Sequence, residues 1–261
     1  MAGGRFFEST GRIMIITGHY GSGKTEFAVS LAMLLSSGVS GDTPGARNRV
    51  PFIQEESGID GNARSRKPRI AIIDLDIVNP YFRSRERREM LEAAGIPVYG
   101  SIYDHEVTAE LPALGASLRA PLEDAACRVI IDAGGNDSGA LVLNQFGKYF
   151  TGGDTDVLAV VNANRPDTRE LAGALGHIAA IAAATGLTVT GIFNNCHLPR
   201  ETSADTVIKG RGLCDEISEA NGKPVWCDCY PEGIVNPEDL AELSENLMPL
   251  GLYMRPTWLD R

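Results

Sequence analysis

The segment Gly18-His19-Tyr20-Gly21-Ser22-Gly23-Lys24-Thr25 concentrates groups suited to gripping an oligophosphate. It matches the spacing G-x-x-x-x-G-K-[ST]. Glycines at 18, 21 and 23 let the backbone curl so that successive N–H groups face phosphate oxygens. A helix starting near Lys24 adds its positive end. In that arrangement the Lys24 ammonium reaches the outer phosphates, and the Thr25 hydroxyl is a Mg2+ ligand. Without a strand before it and a helix after it, the same cluster would be only a glycine-rich turn.

Such a loop needs carboxylates close by, and two apolar runs end in them. "RIAIIDLD" delivers Asp74 and Asp76, and "RVIIDAGG" delivers Asp132 followed by Gly134 and Gly135. Asp132 is expected to hold the metal through water, and Gly134 to offer its N–H to the γ-phosphate. Asp76 is placed to orient or deprotonate a water for in-line attack. The reading therefore assigns catalysis to Lys24 and Asp76, and the metal to Thr25, Asp76 and Asp132. Nucleotide contacts fall to the whole stretch Gly18–Thr25 and to Glu26 in the first helical turn. A strand-end turn is the alternative role for Asp74 and Asp76.

Positioning these residues requires a scaffold, and the sequence has the rhythm of one. Apolar, β-branched runs recur at Arg12–Thr17, Arg69–Asp74, Arg128–Asp132, Asp156–Asn162, Leu187–Asn194 and Pro224–Cys227. Helical periodicity separates them, at Lys24–Ser36, Ser84–Ala94, Ser138–Tyr149, Thr168–Ala184, Ala204–Asn221 and Pro237–Leu247. This alternation predicts an α/β fold, a mostly parallel central sheet with helices on both faces. Asp167 is expected to cap a helix ahead of Glu170, Gly186 and Gly222 to follow helix ends, and Pro237 to sit in a first turn after Asn236. Gly38–Pro68, rich in Gly, Ser, Pro and charge, reads as a mobile surface insertion in a single domain covering residues 1–261. A second irregular stretch is expected at Ser101–Ala120.

Composition narrows the partners. A net charge of −10 and a pI near 4.9 argue against a broad grip on nucleic acid or an anionic membrane. The five scattered cysteines form no disulfide framework and fit a reducing compartment. No long apolar span or secretory leader is read, so a cytoplasmic location is expected.

"TGHYGSGKT", "IDLDIVNPYFR" and "IIDAGG", in this order and spacing, resemble the nucleotide-binding core of the SIMIBI class of P-loop NTPases. That class includes septum-site and plasmid-partition ATPases, the nitrogenase iron protein, and the dethiobiotin and cobyrinate synthetase-like enzymes. The resemblance implies ATP and Mg2+ as cofactors, a homodimer, Asp76 as the switch aspartate that positions water, and Asp132 as the metal-holding aspartate. Partition-type members carry an additional lysine that crosses the dimer. His19 stands there instead, followed by Tyr20, which puts that trans contact in doubt and leaves His19 either a partial substitute or a structural residue.

The resemblance also implies where a base would lie. Asn194 and Asn195 end a strand and are expected to read adenine or else to stabilise a turn. Pro231, in the loop after the final strand, is the candidate second wall of the base pocket. No N-K-x-D guanine reader is present, which favours ATP. "NPYFRSRERREM" puts Asn79, Tyr81, Phe82, Arg83 and Arg85 where a nucleotide-sensitive surface would meet a protein client, or where an ordinary charged helix would begin. Arg165 is expected to reach a phosphate or a partner carboxylate. Cys227-Asp228-Cys229 and Cys196 lack the spacing of a metal site, and His105, His177 and His197 read as packing or surface residues. The expected function is a Mg-ATP-dependent ATPase switching a protein client. The alternative is a synthetase or kinase acting on a small molecule held near Asp104–Pro112 or Arg165.

Overall fold

A computed structural model describes residues 11–37, 69–76, 87–100, 111–151, 153–243 and 246–254. The expected insertion at Gly38–Pro68, the aromatic and cationic residues 79–85, His105 and most of the Asp104–Pro112 stretch lie outside the described residues.

Among the described residues eight strands form one parallel sheet: β1 Ile13–Thr17, β2 Arg69–Asp74, β3 Val98–Gly100, β4 Cys127–Asp132, β5 Thr155–Val161, β6 Gly191–Asn194, β7 Val225–Pro231 and β8 Leu247–Leu250. Their spatial order is β3-β2-β4-β1-β5-β6-β7-β8. β1 is central, with Ile13 in register with Val129 of β4 on one side and Thr155 of β5 on the other. Parallel strands point their carboxyl ends to a common edge, and the connection from β1 runs toward β2 while that from β4 crosses β1 to β5, so the strand order reverses there, which is where ligands of such sheets collect.

Alternation along the strands divides the core. Met14, Ile16, Ile72, Ile130, Leu158 and Phe193 face one layer, which includes α1 (Lys24–Ser37), α2 (Arg88–Ala93) and β8. Ile13, Ile15, Ile73, Val129, Ile131 and Val157 face the other, against α3 (Leu111–Glu123), the turn following α4 (Asp137–Ala140), and α5 (Leu171–Thr185). α6 (Ala204–Asn221) adds a smaller cluster over β6 through Leu213, Cys214 and Ile217. α1 is buried through most of its length, so it is apolar on nearly every side rather than striped. Phe27 of α1 meets the Phe193 ring at 4.6 Å between centroids, fixing the helix across β6.

Several boundaries differ from the sequence expectation. β3 and β8 were not anticipated, and the expected helix Pro237–Leu247 is a short 3-10 turn, Pro237–Leu240, followed by β8. The stretch expected to be helical through Tyr149 becomes a 3-10 helix over Leu141–Tyr149. Its apolar Leu143, Phe146 and Tyr149 recur every third residue, the period of that tighter helix. Ser101–Ala120 is not irregular throughout, since α3 begins at Leu111. Asp167 caps nothing: α5 starts at Leu171 with Glu170 as a cap that makes no side-chain bond. Gly186 and Gly222 close α5 and α6 at φ +70° as expected, and Asn236 caps the Pro237 turn.

Candidate nucleotide site

The phosphate loop runs from Gly18 to Gly23 at the carboxyl edge of β1, with Lys24 opening α1. Its glycines are required by shape. Gly21 and Gly23 have φ of +73° and +86°, and a Cβ on Gly18 would sit 2.3 Å from the Val160 carbonyl. Ser22 N–H closes a turn on the His19 carbonyl at 3.0 Å.

Two carbonyls of the loop are pulled outward by side chains from neighbouring strands. Arg165 Nε donates to the Gly21 carbonyl at 2.6 Å, and Asn195 Nδ2 donates to the Ser22 carbonyl at 2.8 Å. In a trans peptide the N–H points opposite to the C=O, so holding the Ser22 carbonyl outward aims the Gly23 N–H the other way, toward the cup. His197 backs Gly23, its Cε1 2.8 Å from where a Cβ would be.

Thr25 and Asp132 are brought together. Thr25 Oγ1 donates to Asp132 Oδ2 at 2.6 Å, and Asp132 is fully buried. Lys24 is 6% exposed and donates to the His19 carbonyl at 3.3 Å. Burial lowers the Lys24 pKa, against the raising pull of Asp132 and Asp76. Burial, reinforced by Asp74, pushes the Asp132 carboxyl up to about 7, opposed by Lys24 and the Thr25 hydroxyl. Asp74 pairs with Asp132 across the β2–β4 ladder, and its Oδ1 accepts from the Asp76 N–H at 3.2 Å. Asp76 is itself buried. The residues after β4 pack on the loop from the far side. Gly134 abuts Gly139 of α4, and Gly135 leaves only 2.8 Å between a notional Cβ and Lys24 Nζ.

These residues fit an oligophosphate with a divalent cation. Thr17 Oγ1, Ser22 Oγ, Asp132 Oδ1 and Asn195 Oδ1 are buried without a hydrogen-bond partner, and all four belong to the loop or the strand ends around it. Buried polar atoms normally have partners, so a cluster of orphans beside a glycine cup is what a ligand site shows. Among the described residues no group of three His, Cys, Asp or Glu side chains could hold a metal by itself.

Other expected residues are employed elsewhere. Asn194 is buried and donates to the Val207 carbonyl and Asp228 Oδ1, each at 2.8 Å, while its Oδ1 accepts from Cys196 N–H at 3.3 Å. Its amide is thus committed to the interior and not to a base. Glu26 turns its carboxylate to the segment after β8. Its Oε1 accepts from Tyr253 N–H at 2.7 Å and its Oε2 from Met254 N–H at 2.8 Å, with Leu252 in a left-handed conformation at φ +53°. Burial raises the Glu26 pKa, against these hydrogen bonds. Pro231 ends β7 at the same sheet edge, buried, its carbonyl taken by Ile234 and Val235 N–H. Tyr20 is 59% exposed at the rim.

His19 is tied within its own chain. Nδ1 donates to the Tyr20 carbonyl at 3.0 Å, Nε2 lies 3.4 Å from Asp167 Oδ2, and the ring meets His177 edge-on at 5.3 Å. Asp167, His177 and Gly135 were not anticipated at the site. Asp167 looked like a helix cap, and a histidine inside a helical period carries no signal of what lies across from it. His177 borders a cavity of about 20 Å³ with Gly18, Val160 and Thr168, and burial pushes its pKa down to about 4. All five cysteines are buried free thiols, and burial raises Cys196 to about 12.

No family model matches the chain, and no curated protein sequence does. Among solved structures it is similar to the signal recognition particle receptor FtsY of Elizabethkingia anophelis, at TM-score 0.44 and 15% identity over 82% of this chain and 56% of that one. The cell division protein ftsY of Thermotoga maritima gives 0.46 and 17% over 82% and 59%. A nucleotide-binding protein of Archaeoglobus fulgidus, in complex with ADP, gives 0.40 and 15% over 82% of each chain. The chain spans less than two thirds of the FtsY chains it matches. Among the described residues no helix is long and apolar enough to cross a membrane. The fold itself is an α/β one in which β1 is central in an all-parallel sheet, a glycine loop leads into α1, and Thr25 is bonded to an aspartate at the end of β4.

Proposed function

We propose that this chain is a Mg-ATP-dependent ATPase that acts as a nucleotide-driven switch on a protein client, as a cytoplasmic homodimer. The observation that carries the reading is the buried Thr25–Asp132 bond beside Lys24, with the second Asp132 oxygen unpartnered. Lys24 holds the outer phosphates, while Thr25 and Asp132 hold Mg2+. When bound, that cation neutralises charge on the phosphate oxygens. Asp76, fixed through its N–H by Asp74, orients the attacking water. Gly134 and Gly135 bring backbone against the loop, where an N–H can meet the γ-phosphate.

The preference for ATP rests on Asn195, whose Oδ1 is unpartnered, and on the absence of an N-K-x-D reader after β6. The amide oxygen is an acceptor for the adenine amino group, with Pro231 as the wall beyond it.

The test is Mg-dependent ATP and GTP turnover by the purified chain and by Lys24→Ala. Turnover of ATP that the substitution abolishes supports the reading, and equal rates from the two proteins remove it. Turnover that rises with a small metabolite and yields stoichiometric product would mark a synthetase or kinase instead.

A further inference from the structure

Arg165 sits in a turn that the ends of β5 and β6 hold in place. Its N–H donates to the Asn162 carbonyl at 3.2 Å, and its own carbonyl accepts from Thr168 N–H at 3.1 Å. Asn162 is fully buried directly after β5, and the Nδ2 atoms of Asn162 and Asn164 donate to the His197 carbonyl at 3.4 and 3.5 Å. The half-buried arginine therefore meets the phosphate loop from a fixed base. Its Nε donates to the Gly21 carbonyl at 2.6 Å. Gly21 makes room for this, because a Cβ there would stand 2.9 Å from Arg165 Cζ.

That bond continues into the loop. The Gly21 carbonyl and the Ser22 N–H belong to one peptide plane and point in opposite directions, so whatever holds the first sets the direction of the second. Ser22 N–H donates to the His19 carbonyl at 3.0 Å, and the same carbonyl accepts from Lys24 Nζ at 3.3 Å. A chain of hydrogen bonds thus runs from the turn after β5 through Gly21, Ser22 and His19 to the Lys24 ammonium. The turn touches His19 a second time, since Asp167 Oδ2 lies 3.4 Å from His19 Nε2. That carboxylate is 74% exposed, and a contact of this kind adds little beside a charge-assisted bond such as the one from Arg165.

We infer that Arg165 is a positioning residue of the phosphate site, which acts through the Gly21–Ser22 peptide to fix the His19 carbonyl on which Lys24 rests. The inference rests on the nucleotide reading above. The arginine works by the hydrogen bond from Nε and makes no use of its charge on the ligand. It serves di- and triphosphates alike, because it sets the lysine before either arrives.

Two substitutions separate the bond from the charge. Arg165→Gln places an amide donor at the same number of bonds from the backbone as Nε, and Arg165→Met fills that length with a methyl group. Calorimetric titration of the full chain with ADP and with a non-hydrolysable ATP analogue, both with Mg2+, reads the site. Amide exchange of the nucleotide-free chain reads the Ser22 N–H. Arg165→Met should weaken both nucleotides by about tenfold and speed Ser22 exchange by a similar factor, as expected for one lost charge-assisted bond. Arg165→Gln should stay within about threefold of wild type in both measurements. A Gln variant as impaired as the Met variant, or one that loses the triphosphate analogue alone, would mean that the charge acts and would overturn the inference. Unchanged affinity or unchanged Ser22 exchange in Arg165→Met would overturn it too, with the nucleotide reading left standing. Wild type that binds neither nucleotide would overturn that reading and this inference together.

Discussion

Thr25 and Asp132 are 107 residues apart in sequence, and the threonine hydroxyl donates to the aspartate at 2.6 Å. The bond brings the start of α1 and the end of β4 into one corner, where the proposed function places Mg2+. Thr25→Ala removes one ligand and leaves Asp132 buried without its donor. It should raise the Mg2+ concentration for half-maximal nucleotide turnover by about 10- to 100-fold, read from a metal titration of the rate.

Gly23→Ala tests the cup itself. Gly23 has φ +86°, and an added methyl would stand 2.5 Å from Asn195 Nδ2. The left-handed backbone alone costs a non-glycine residue about 1–2 kcal/mol. The collision should also displace the amide that aims the Gly23 N–H. A fall in the urea midpoint together with loss of nucleotide binding by calorimetry is the expected result.

A buried ion pair away from the loop should behave differently. Asp228, fully buried in β7, accepts from Arg211 Nη1 and Asn194 Nδ2, each at 2.8 Å. Arg211→Ala strips the cation from that carboxylate and should cost about 3 kcal/mol in urea denaturation. Combining Arg211→Met with Asp228→Asn should recover more than half of that loss, because the neutral pair needs no counter-charge.

Stability should also depend on His177. Its folded pKa is pushed from 6.5 down to about 4, chiefly by burial and then by His19 and Lys24. Below pH 6.5 the unfolded chain takes up a proton that the folded chain refuses until about pH 4. The contribution of this residue is therefore intact above pH 6.5 and lost as pH falls through that window. Replacing it by Gln should flatten the stability profile there by up to about 1.4 kcal/mol per pH unit, measured by thermal melts.

Much of the site could be read from the sequence because its parts are local. Gly18–Thr25 is one contiguous segment, and Asp74 and Asp132 each close an unbroken apolar run, with Asp76 two residues further on. What could not be read depends on partners far along the chain. Asn194 and Asn195 are adjacent at a strand end, yet strand alternation turns one toward Asp228 and the other toward Ser22. Nothing in the order of residues says which faces the loop. Short strands were lost for another reason. Val98–Gly100 is too brief to show a period, and β8, "LMPL", carries Pro249. A proline is tolerated there because β8 is the last strand of the sheet and has one side free of ladder bonds. β7 extends four residues beyond its expected end because "DCYP", polar on paper, is largely buried.

The Glu26 carboxylate grips two successive amides of the segment after β8, one residue beyond Thr25 in the same helical turn. Glu26→Gln weakens both of these bonds and should loosen residues 253–254 together with the first turn of α1, read as faster amide exchange in the two segments. Two hydrogen bonds thus couple the order of the backbone after β8 to that of the helix start beside the phosphate loop.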